Sequence, residues 1–206
     1  MPAYFAPGED FHYSNTNYSL LGMIIEEASG MPLGDYMKKE ILEPMGANYT
    51  IYKSTPGFPD LPGVVNSYFE HFPGQIQNCT EIQKHFSDIA YGHEGIIASP
   101  YDYAMFMKQL VKGNILSPES TAEMMAMITP GNDDYGLGIK KYNTNYETGY
   151  GHTGGSIGTI SYAIYFPESE IAFSVCCNLG AVFASDNTSL FYTDLYEELI
   201  KLIFTG

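Results

Sequence analysis

Apolar residues in the first part of the chain recur at helical intervals. The first predicted helix carries them on one stripe, at Leu20, Leu21, Ile24, Ile25 and Ala28. Gly30 is placed to end this helix, because glycine readily adopts the left-handed conformation of a C-terminal cap. A second, short helix is predicted from about Pro32 and ends before Pro44. Residues 54–92 lack a clean period and contain four prolines, which predicts a long irregular segment.

Two more helices have a serine followed by a proline at their predicted starts. Ser99 can cap the first of them, Pro100 suits its first turn, and Asp102 favours its positive end. Gly113 is placed to end that helix. The next helix is predicted over residues 117–128, from its own Ser-Pro-Glu start.

Alternation of apolar and polar residues replaces helical spacing after residue 135. Residues 136–142 are predicted as a strand, and residues 143–149 as a turn. Residues 160–166 and 171–177 each alternate and are joined by a short turn, which predicts an antiparallel hairpin. His152 is expected at the start of the first strand of that hairpin.

The order of these elements predicts the fold class. Helical spacing returns over residues 189–204, so helices are followed by strands and then by a helix that packs on the sheet. This order is typical of the α+β class. We therefore predict a mainly helical region over residues 1–130, and an antiparallel sheet portion with its C-terminal helix over residues 131–206.

The charge and composition of the chain exclude several classes of partner. Nine Lys and Arg residues against 24 Asp and Glu residues give a net charge of −15, whereas nucleic-acid binding needs a surplus of basic residues. No apolar run approaches the ~20 residues of a membrane span, and no charged segment followed by an apolar run opens the chain as a signal peptide would. The five histidines and three cysteines show no metal-ligand spacing, so neither a metal nor another cofactor is expected.

Two short strings could carry chemistry. Residues 13–15 (Tyr-Ser-Asn) stand just before the first predicted helix, and residues 152–155 (His-Thr-Gly-Gly) stand where the hairpin begins. A Tyr-x-Asn string is expected about once by chance in a chain so rich in tyrosine, whereas His-Thr-Gly is expected far less often. Taken alone, Tyr13 and Asn15 fit a packing residue and a helix cap, and His152 fits a turn residue.

Further landmarks occur in order along nearly the whole chain. They are Phe5-Ala6-Pro7-Gly8 before Tyr13-Ser14-Asn15, Pro44-Met45-Gly46 before Thr50, Gly95-Ile96-Ile97-Ala98-Ser99 before Asp102, and His152-Thr153-Gly154. With them the chain resembles the serine β-lactamase-related family, which comprises class C β-lactamases, serine D-Ala-D-Ala carboxypeptidases, D-aminopeptidases and related esterases. The resemblance implies a partial β-lactamase/transpeptidase-like fold and acyl transfer on amide or ester substrates. Histidine in the third motif argues against a dedicated β-lactamase.

The resemblance also implies roles for Tyr13, Asn15 and His152. Tyr13 and His152 would be the catalytic residues, with Tyr13 assisting proton transfer. A phenol needs positive neighbours to act as a base at neutral pH. Asn15 would hold the substrate amide through its own side-chain amide. We therefore expect Tyr13 and His152 to meet at the mouth of one cleft between the helical and sheet regions.

The rest of the second string would bind the substrate. Thr153 would donate to the substrate carboxylate, close to His152. The backbone N–H of Gly155 would form one half of the oxyanion hole. Small residues at Gly154 and Gly155 would let the substrate lie along the strand like an added strand.

The family's first motif, Ser-x-x-Lys, does not occur in the 206 residues. Residues 50–53 have a Thr-x-x-Lys spacing, but two residues three apart converge only on a helix, and β-branched and aromatic residues disfavour one here. The chain is therefore interpreted as the C-terminal part of a family member, which lacks its nucleophile and is inactive alone.

Two alternatives stay open. One is a non-catalytic binding or interaction protein that keeps the cleft, and the other is half of a split enzyme whose partner chain supplies Ser-x-x-Lys. The expected ligand is a small-molecule or peptide acyl substrate. Self-association is also expected, through a sheet edge that earlier strands of the family would cover.

Overall fold

A computed structural model of the chain describes residues 3–52, 63–72, 74–89, 91–128, 132, 134–180 and 194–206. Its helices are α1 (Asn15–Ser29), α2 (Leu33–Met37), α3 (Glu43–Met45), α4 (Thr80–Ile89), α5 (Pro100–Val111), α6 (Pro118–Met125) and α7 (Tyr196–Thr205). A π-helical turn, Lys38–Leu42, joins α2 to α3. The strands are β1 (Thr50–Tyr52), β2 (Tyr68–Phe72), β3 (Gln75–Asn78), β4 (Ile96–Ala98), β5 (Lys140–Asn143), β6 (Thr148–Gly155), β7 (Ile160–Phe166), β8 (Ile171–Cys177) and β9 (Leu179–Gly180).

Capping residues set the ends of two helices, and the sequence predicts two of these residues, Gly30 and Ser99. Ser14 caps α1 by accepting from the Thr16 N–H, and Gly30 ends it with a φ of 67°. Ser99 caps α5 by accepting from the Asp102 N–H at 3.1 Å. These signals are local, so they can be recognised without knowledge of the tertiary structure.

The packed face of α1 differs from the prediction. Leu20, Leu21 and Ile24 of the predicted buried stripe are 53%, 51% and 60% exposed. The helix packs through Gly22 instead, where a Cβ would lie 2.9 Å from the ring of Tyr91. Because the smallest residue permits the closest approach, α1 buries this face and leaves its apolar stripe uncovered by the described residues.

Two predicted helix ends were wrong. The second helix does not stop before Pro44 but runs through it to Met45, because proline in the first turn of α3 has no N–H that needs a partner. Gly46 ends α3 with a φ of 66°. Helix α6 stops at Met125 and not at residue 128, because Ala126 adopts an extended conformation with ψ of 107°.

The segment predicted as irregular, residues 54–92, is ordered where it is described. Strands β2 and β3 form an antiparallel hairpin, and α4 follows it. The two strands are short and β3 is exposed throughout, so no apolar alternation marks them in the sequence. The buried Glu70 carboxylate accepts the Gly74 N–H at 2.7 Å and closes the hairpin. Residues 53–62, 73 and 90 lie outside the described residues.

The main sheet is antiparallel and has the strand order β5-β6-β7-β8. The predicted hairpin is confirmed, since β7 pairs with β8 from Ile160 opposite Cys177 to Phe166 opposite Ile171. The strand predicted over residues 136–142 begins later, with β5.

Strand β6 was missed by the sequence prediction. It includes Gly149, which was assigned to a turn, and it places His152 inside a strand and not at the start of the hairpin. Glycine has a low strand propensity, which hides β6 in the sequence. The sheet nevertheless requires glycine here, because a Cβ on Gly151 would lie 2.0 Å from the backbone oxygen of Ala163.

Helices cover both faces of this sheet. Helix α5 packs on one face, where Met107 meets Tyr165 of β7. Helix α7 packs on the other face, where Ile200 meets Ile164 and Phe166 of the same strand. The protein therefore has an α+β fold, with a C-terminal helix packed on an antiparallel sheet as predicted. The predicted start of that helix, residues 189–193, lies outside the described residues.

Two small sheets contain the short strands that precede residue 130. One pairs β1 with β4, and the other has the order β3-β2-β9. Strand β9 follows the main sheet in sequence, so pairing between β2 and β9 crosses residue 130. The division of the chain at residue 130 remains a prediction. Within the described segments, no helix is both long and apolar enough to cross a membrane.

Candidate active site

A cleft of about 550 Å³ opens between the start of α1, the loop before β4 and the end of β6. Its walls bring together all the residues to which the resemblance assigns a role: Tyr13, Asn15, His152, Thr153, Gly154 and Gly155. The walls also include residues that sequence analysis did not assign to the site: Tyr18, His93, Glu94, Tyr135 and Lys140.

The start of α1 places Tyr13 and Asn15 at this cleft. Ser14, and not Asn15, caps the helix, so the Asn15 side-chain amide is not used as the helix cap. Asn15 is exposed, and Tyr13 is 43% exposed. The ring centroids of Tyr13 and His152 are 6.1 Å apart. The two residues therefore meet at one site despite their long separation in sequence.

Both ring nitrogens of His152 are engaged in hydrogen bonds. Nδ1 lies 2.6 Å from the backbone oxygen of Thr153, which can only accept, so Nδ1 carries the proton. Nε2 lies 2.9 Å from the hydroxyl of Tyr135, which donates to it when the ring is neutral, the state that the lowered pKa of His152 favours. The Tyr18 hydroxyl lies 2.6 Å from the Tyr135 oxygen and donates in its turn. In this neutral state His152 ends a relay of two tyrosine hydroxyls.

Burial sets the protonation of the titratable groups at this site. It lowers the pKa of His152, and the charge of Lys140 lowers this pKa further, whereas the hydrogen bond to Thr153 raises it. Burial raises the pKa of Tyr13, and the neighbouring Tyr18 adds to the increase. The pKa of Tyr135 is raised for the same reasons. At neutral pH the tyrosine hydroxyls are therefore donors, and the described residues do not create a phenolate base.

Strand β6 presents a partly open edge to the cleft. β5 pairs with β6 from Thr148 to Gly151, whereas β7 pairs with it as far as Gly155. The segment 152–155 therefore has one edge that no described strand covers. Such an edge can accept an extended ligand as an added strand.

Glu94 is the most informative residue that sequence reasoning missed. It is half-buried in the cleft wall, and one carboxylate oxygen accepts a hydrogen bond from Ser156 Oγ at 3.0 Å. Burial raises the pKa of Glu94, whereas the hydrogen bond from Ser156 lowers it by a smaller amount. The sequence signal was a pair of titratable residues, His93 and Glu94, enclosed by glycines in the loop before β4.

The rejected nucleophile candidate, Thr50, does not line the cleft. It lies in strand β1, and its hydroxyl donates to the buried carboxylate of Asp102 at 2.9 Å. Lys53, at the other end of that spacing, lies outside the described residues. In the described part of the chain, no three His, Cys, Asp or Glu side chains are placed to hold a metal ion.

Solved structures share this fold over most of the chain. The D-amino acid amidase from Ochrobactrum anthropi SV3, complexed with L-phenylalanine amide, aligns with a TM-score of 0.79 and 24% identity and covers 94% of this chain and 57% of that one. The octameric penicillin-binding protein homologue from Pyrococcus abyssi aligns with a TM-score of 0.67 and 30% identity, over 85% of this chain and 40% of that one.

Sequence comparison also finds relatives of this chain. A protein of Salmonella paratyphi B, named as a D-alanyl-D-alanine carboxypeptidase, is 28% identical over an alignment of 182 positions, which covers 74% of this chain and 42% of that protein. This chain thus spans less than half the length of that relative. The family model named Beta-lactamase matches residues 1–192, nearly the whole chain. The chain therefore belongs to the beta-lactamase family, a family of hydrolases that includes carboxypeptidases and amidases.

Proposed function

We propose that the cleft binds a small-molecule or peptide acyl compound, either an amide or an ester, as the peptidases and esterases of this family do. The observation that carries the proposal is the meeting of Tyr13 and Asn15 with residues 152–155 on one cleft. These residues correspond to the Tyr-x-Asn and His-Thr-Gly motifs in type and in order. Tyr13 and His152 take the catalytic positions in this proposal, and the remaining residues of the strings bind the ligand.

The ligand would lie along the open edge of β6. The hydroxyl of Thr153 donates to the ligand carboxylate, and the N–H of Gly155 donates to the acyl oxygen. The side-chain amide of Asn15 holds the ligand amide from the opposite wall. A fixed backbone donor at the acyl oxygen is the arrangement that stabilises negative charge during acyl transfer.

We propose further that these 206 residues bind the ligand without turning it over by themselves. Acyl transfer needs a nucleophile within about 3 Å of both its base and the carbonyl carbon, and no serine of the printed sequence is followed by lysine three positions later. The raised pKa of Tyr13 keeps its phenol protonated, and the Tyr135 hydroxyl occupies the Nε2 lone pair of His152. A Ser-x-x-Lys segment from outside these residues would supply both the nucleophile and the cation that Tyr13 needs.

Titration of the chain with N-acetyl-D-alanyl-D-alanine, followed by the backbone amide signals of Thr153 and Gly155, tests the binding site. We expect saturable shifts at both amides and a loss of about tenfold in affinity in Asn15→Ala, because one hydrogen-bonding pair is removed. Asn114→Ala, on the exposed surface after α5, serves as the matched control and should bind normally. Shifts confined to another surface, or equal effects of both variants, would contradict the proposal.

The split-enzyme alternative predicts one further result. Addition of a separate segment of a relative that carries Ser-x-x-Lys would then create hydrolysis that neither chain shows alone. A non-catalytic binding protein would bind the same ligand but gain no hydrolysis from that addition.

We also propose that the chain associates with a second copy of itself. Among the described strands β8 pairs only with β7, so its outer edge is open. Leu20 and Ile24 contribute to an exposed apolar face on α1. Open sheet edges and exposed apolar faces both favour association, and a similar protein from Pyrococcus abyssi is described as octameric.

Sedimentation velocity over a wide range of concentrations tests this association. We expect the sedimentation coefficient to rise with concentration, and Ile24→Glu to shift the equilibrium towards monomer. Glu27→Gln, on the same helix, is the control that should leave the equilibrium unchanged. A monomer at every concentration would show that the proposed association does not occur.

A further inference from the structure

We propose that Glu94 forms a subsite for a cationic amino group on the acyl side of the ligand. The preferred ligands are then aminoacyl amides or esters with a free amino group, and not their N-acylated forms. The inference rests on the proposed binding mode along β6 and names the substrate class for that same cleft. Glu94 lines the cleft from the loop before β4, opposite the end of β6.

A chain of hydrogen bonds holds the Glu94 carboxylate in place. Its Oε2 accepts from Ser156 Oγ at 3.0 Å, and Ser156 Oγ accepts from Gln83 Nε2 at 3.0 Å. Gln83 is fixed in turn, because its Oε1 accepts the N–H of Gly158 at 2.8 Å. The carboxylate is therefore anchored by α4 and by the turn between β6 and β7, with little freedom to leave the cleft.

The second carboxylate oxygen of Glu94 remains available to a ligand. Within the described segments, Oε1 accepts no hydrogen bond and no lysine forms an ion pair with this carboxylate. The side chain is half-buried, so its charge is only partly compensated by water. An ammonium group there would make a charge-assisted hydrogen bond, which is roughly twice as strong as a neutral one.

The order of groups along β6 determines which end of a ligand meets Glu94. Lys140 pairs with Gly151 at one end, and Ser156 holds Glu94 at the other. The two ends are about 16 Å apart at about 3.3 Å per residue of strand. A ligand whose carboxylate lies at Thr153 and whose acyl oxygen lies at Gly155 has its acyl side beyond Gly155, against Glu94.

The cleft is therefore positive at its leaving-group end and negative at its acyl end. This polarity complements a zwitterion that runs along β6 from a free amino group to a carboxylate. An N-acetyl group on the same ligand removes both the charge and the donors that Glu94 would bind. Glu94 thereby becomes a specificity-determining residue, although it does not touch the reacting carbonyl.

Calorimetric titration of the 206-residue chain with phenylalanine amide and with N-acetylphenylalanine amide tests the subsite. We expect the wild-type chain to bind the free amine about tenfold more tightly or better. Glu94→Gln should abolish this preference and leave the affinity for the N-acetyl ligand within about twofold. Glu123→Gln, an exposed glutamate of α6 that removes the same charge, is the matched control and should keep the preference.

The possible outcomes separate this inference from the proposed function. Equal affinity of the wild-type chain for both ligands overturns the subsite and leaves the cleft proposal intact, whereas no binding of either ligand overturns both. Equal weakening of both ligands in Glu94→Gln assigns Glu94 a purely structural role and also overturns the subsite. If Glu94→Gln does not fold, the relative affinity of the wild-type chain for the two ligands still tests the subsite. Glu94→Asp, which keeps the charge, should then retain part of the preference for the free amine.

Discussion

The hydroxyl of Tyr135 lies 2.9 Å from Nε2 of His152 and donates to it. Nδ1 of the same ring donates to the backbone oxygen of Thr153, and burial lowers the pKa of the ring, so the histidine is a neutral acceptor at neutral pH. A base at this position would need a free lone pair, which His152 lacks in this arrangement. We therefore propose that His152 acts through the shape and polarity of the cleft and that proton transfer waits for a group that displaces Tyr135.

Titration of the His152 ring by NMR should give a pKa below the ordinary histidine value of 6.5, because burial disfavours the imidazolium. The unfolded chain then binds more protons than the folded chain between the two pKa values. The stability contributed by neutral His152 is therefore present above the unfolded pKa and lost as the pH falls through the folded pKa. A pKa above 6.5 would contradict the buried, neutral ring.

Removal of the Tyr135 hydroxyl should destabilise the fold. Tyr135 is 8% exposed, and Tyr135→Phe would leave the Nε2 of His152 without its donor and the Tyr18 hydroxyl without its acceptor. We expect a loss of about 1–3 kcal/mol in the free energy of unfolding by urea. Tyr101→Phe, which removes a hydroxyl from a residue that is 71% exposed, should change it by less than about 0.5 kcal/mol. Similar losses for the two variants would show that the relay does not contribute.

Gly92, in the loop that carries Glu94, should be difficult to replace. Its φ is 77°, and a Cβ there would lie 2.3 Å from the backbone oxygen of Tyr18 in α1. Gly74 has the same φ of 77° but open space around a Cβ, so Gly74→Ala measures the backbone strain alone, about 1 kcal/mol.

We expect Gly92→Ala to cost at least about 1–3 kcal/mol more than Gly74→Ala, because the clash involves backbone atoms of α1 that cannot move independently. Urea unfolding of both variants gives the comparison. Equal costs would mean that the loop and α1 separate easily, and the cleft would then be less rigid than the structure indicates.

Local signals in the sequence predicted the parts of the fold that depend on them. Ser99 caps α5 through the Asp102 N–H, and Gly30 ends α1, without any distant contact. The β7–β8 hairpin was predictable because alternation and a short turn suffice to define it. The face of α1 was not predictable, because Gly22 selects it only through its approach to Tyr91.

Strand β6 and the cleft residues Glu94 and Tyr135 could not be predicted from the sequence. The glycines of β6 lower its strand propensity, and only Ala163 of the neighbouring strand explains why Gly151 is needed. Tyr13 and His152 were found through motifs. Glu94 and Tyr135 belong to no motif and become part of the site through contacts with Ser156 and His152 that only the folded chain brings together.

We propose centrally that these 206 residues form a ligand cleft with the Tyr-x-Asn and His-Thr-Gly groups and, without a Ser-x-x-Lys sequence, do not attack the bound ligand. Intact-mass measurement of the pure chain after incubation with a fluorophosphonate tests it most directly, with a catalytically competent relative labelled in parallel as the positive control. The account predicts an unchanged mass for this chain and a stoichiometric adduct on the relative. A stoichiometric adduct on any serine or threonine of this chain, lost in Tyr13→Phe, would contradict it.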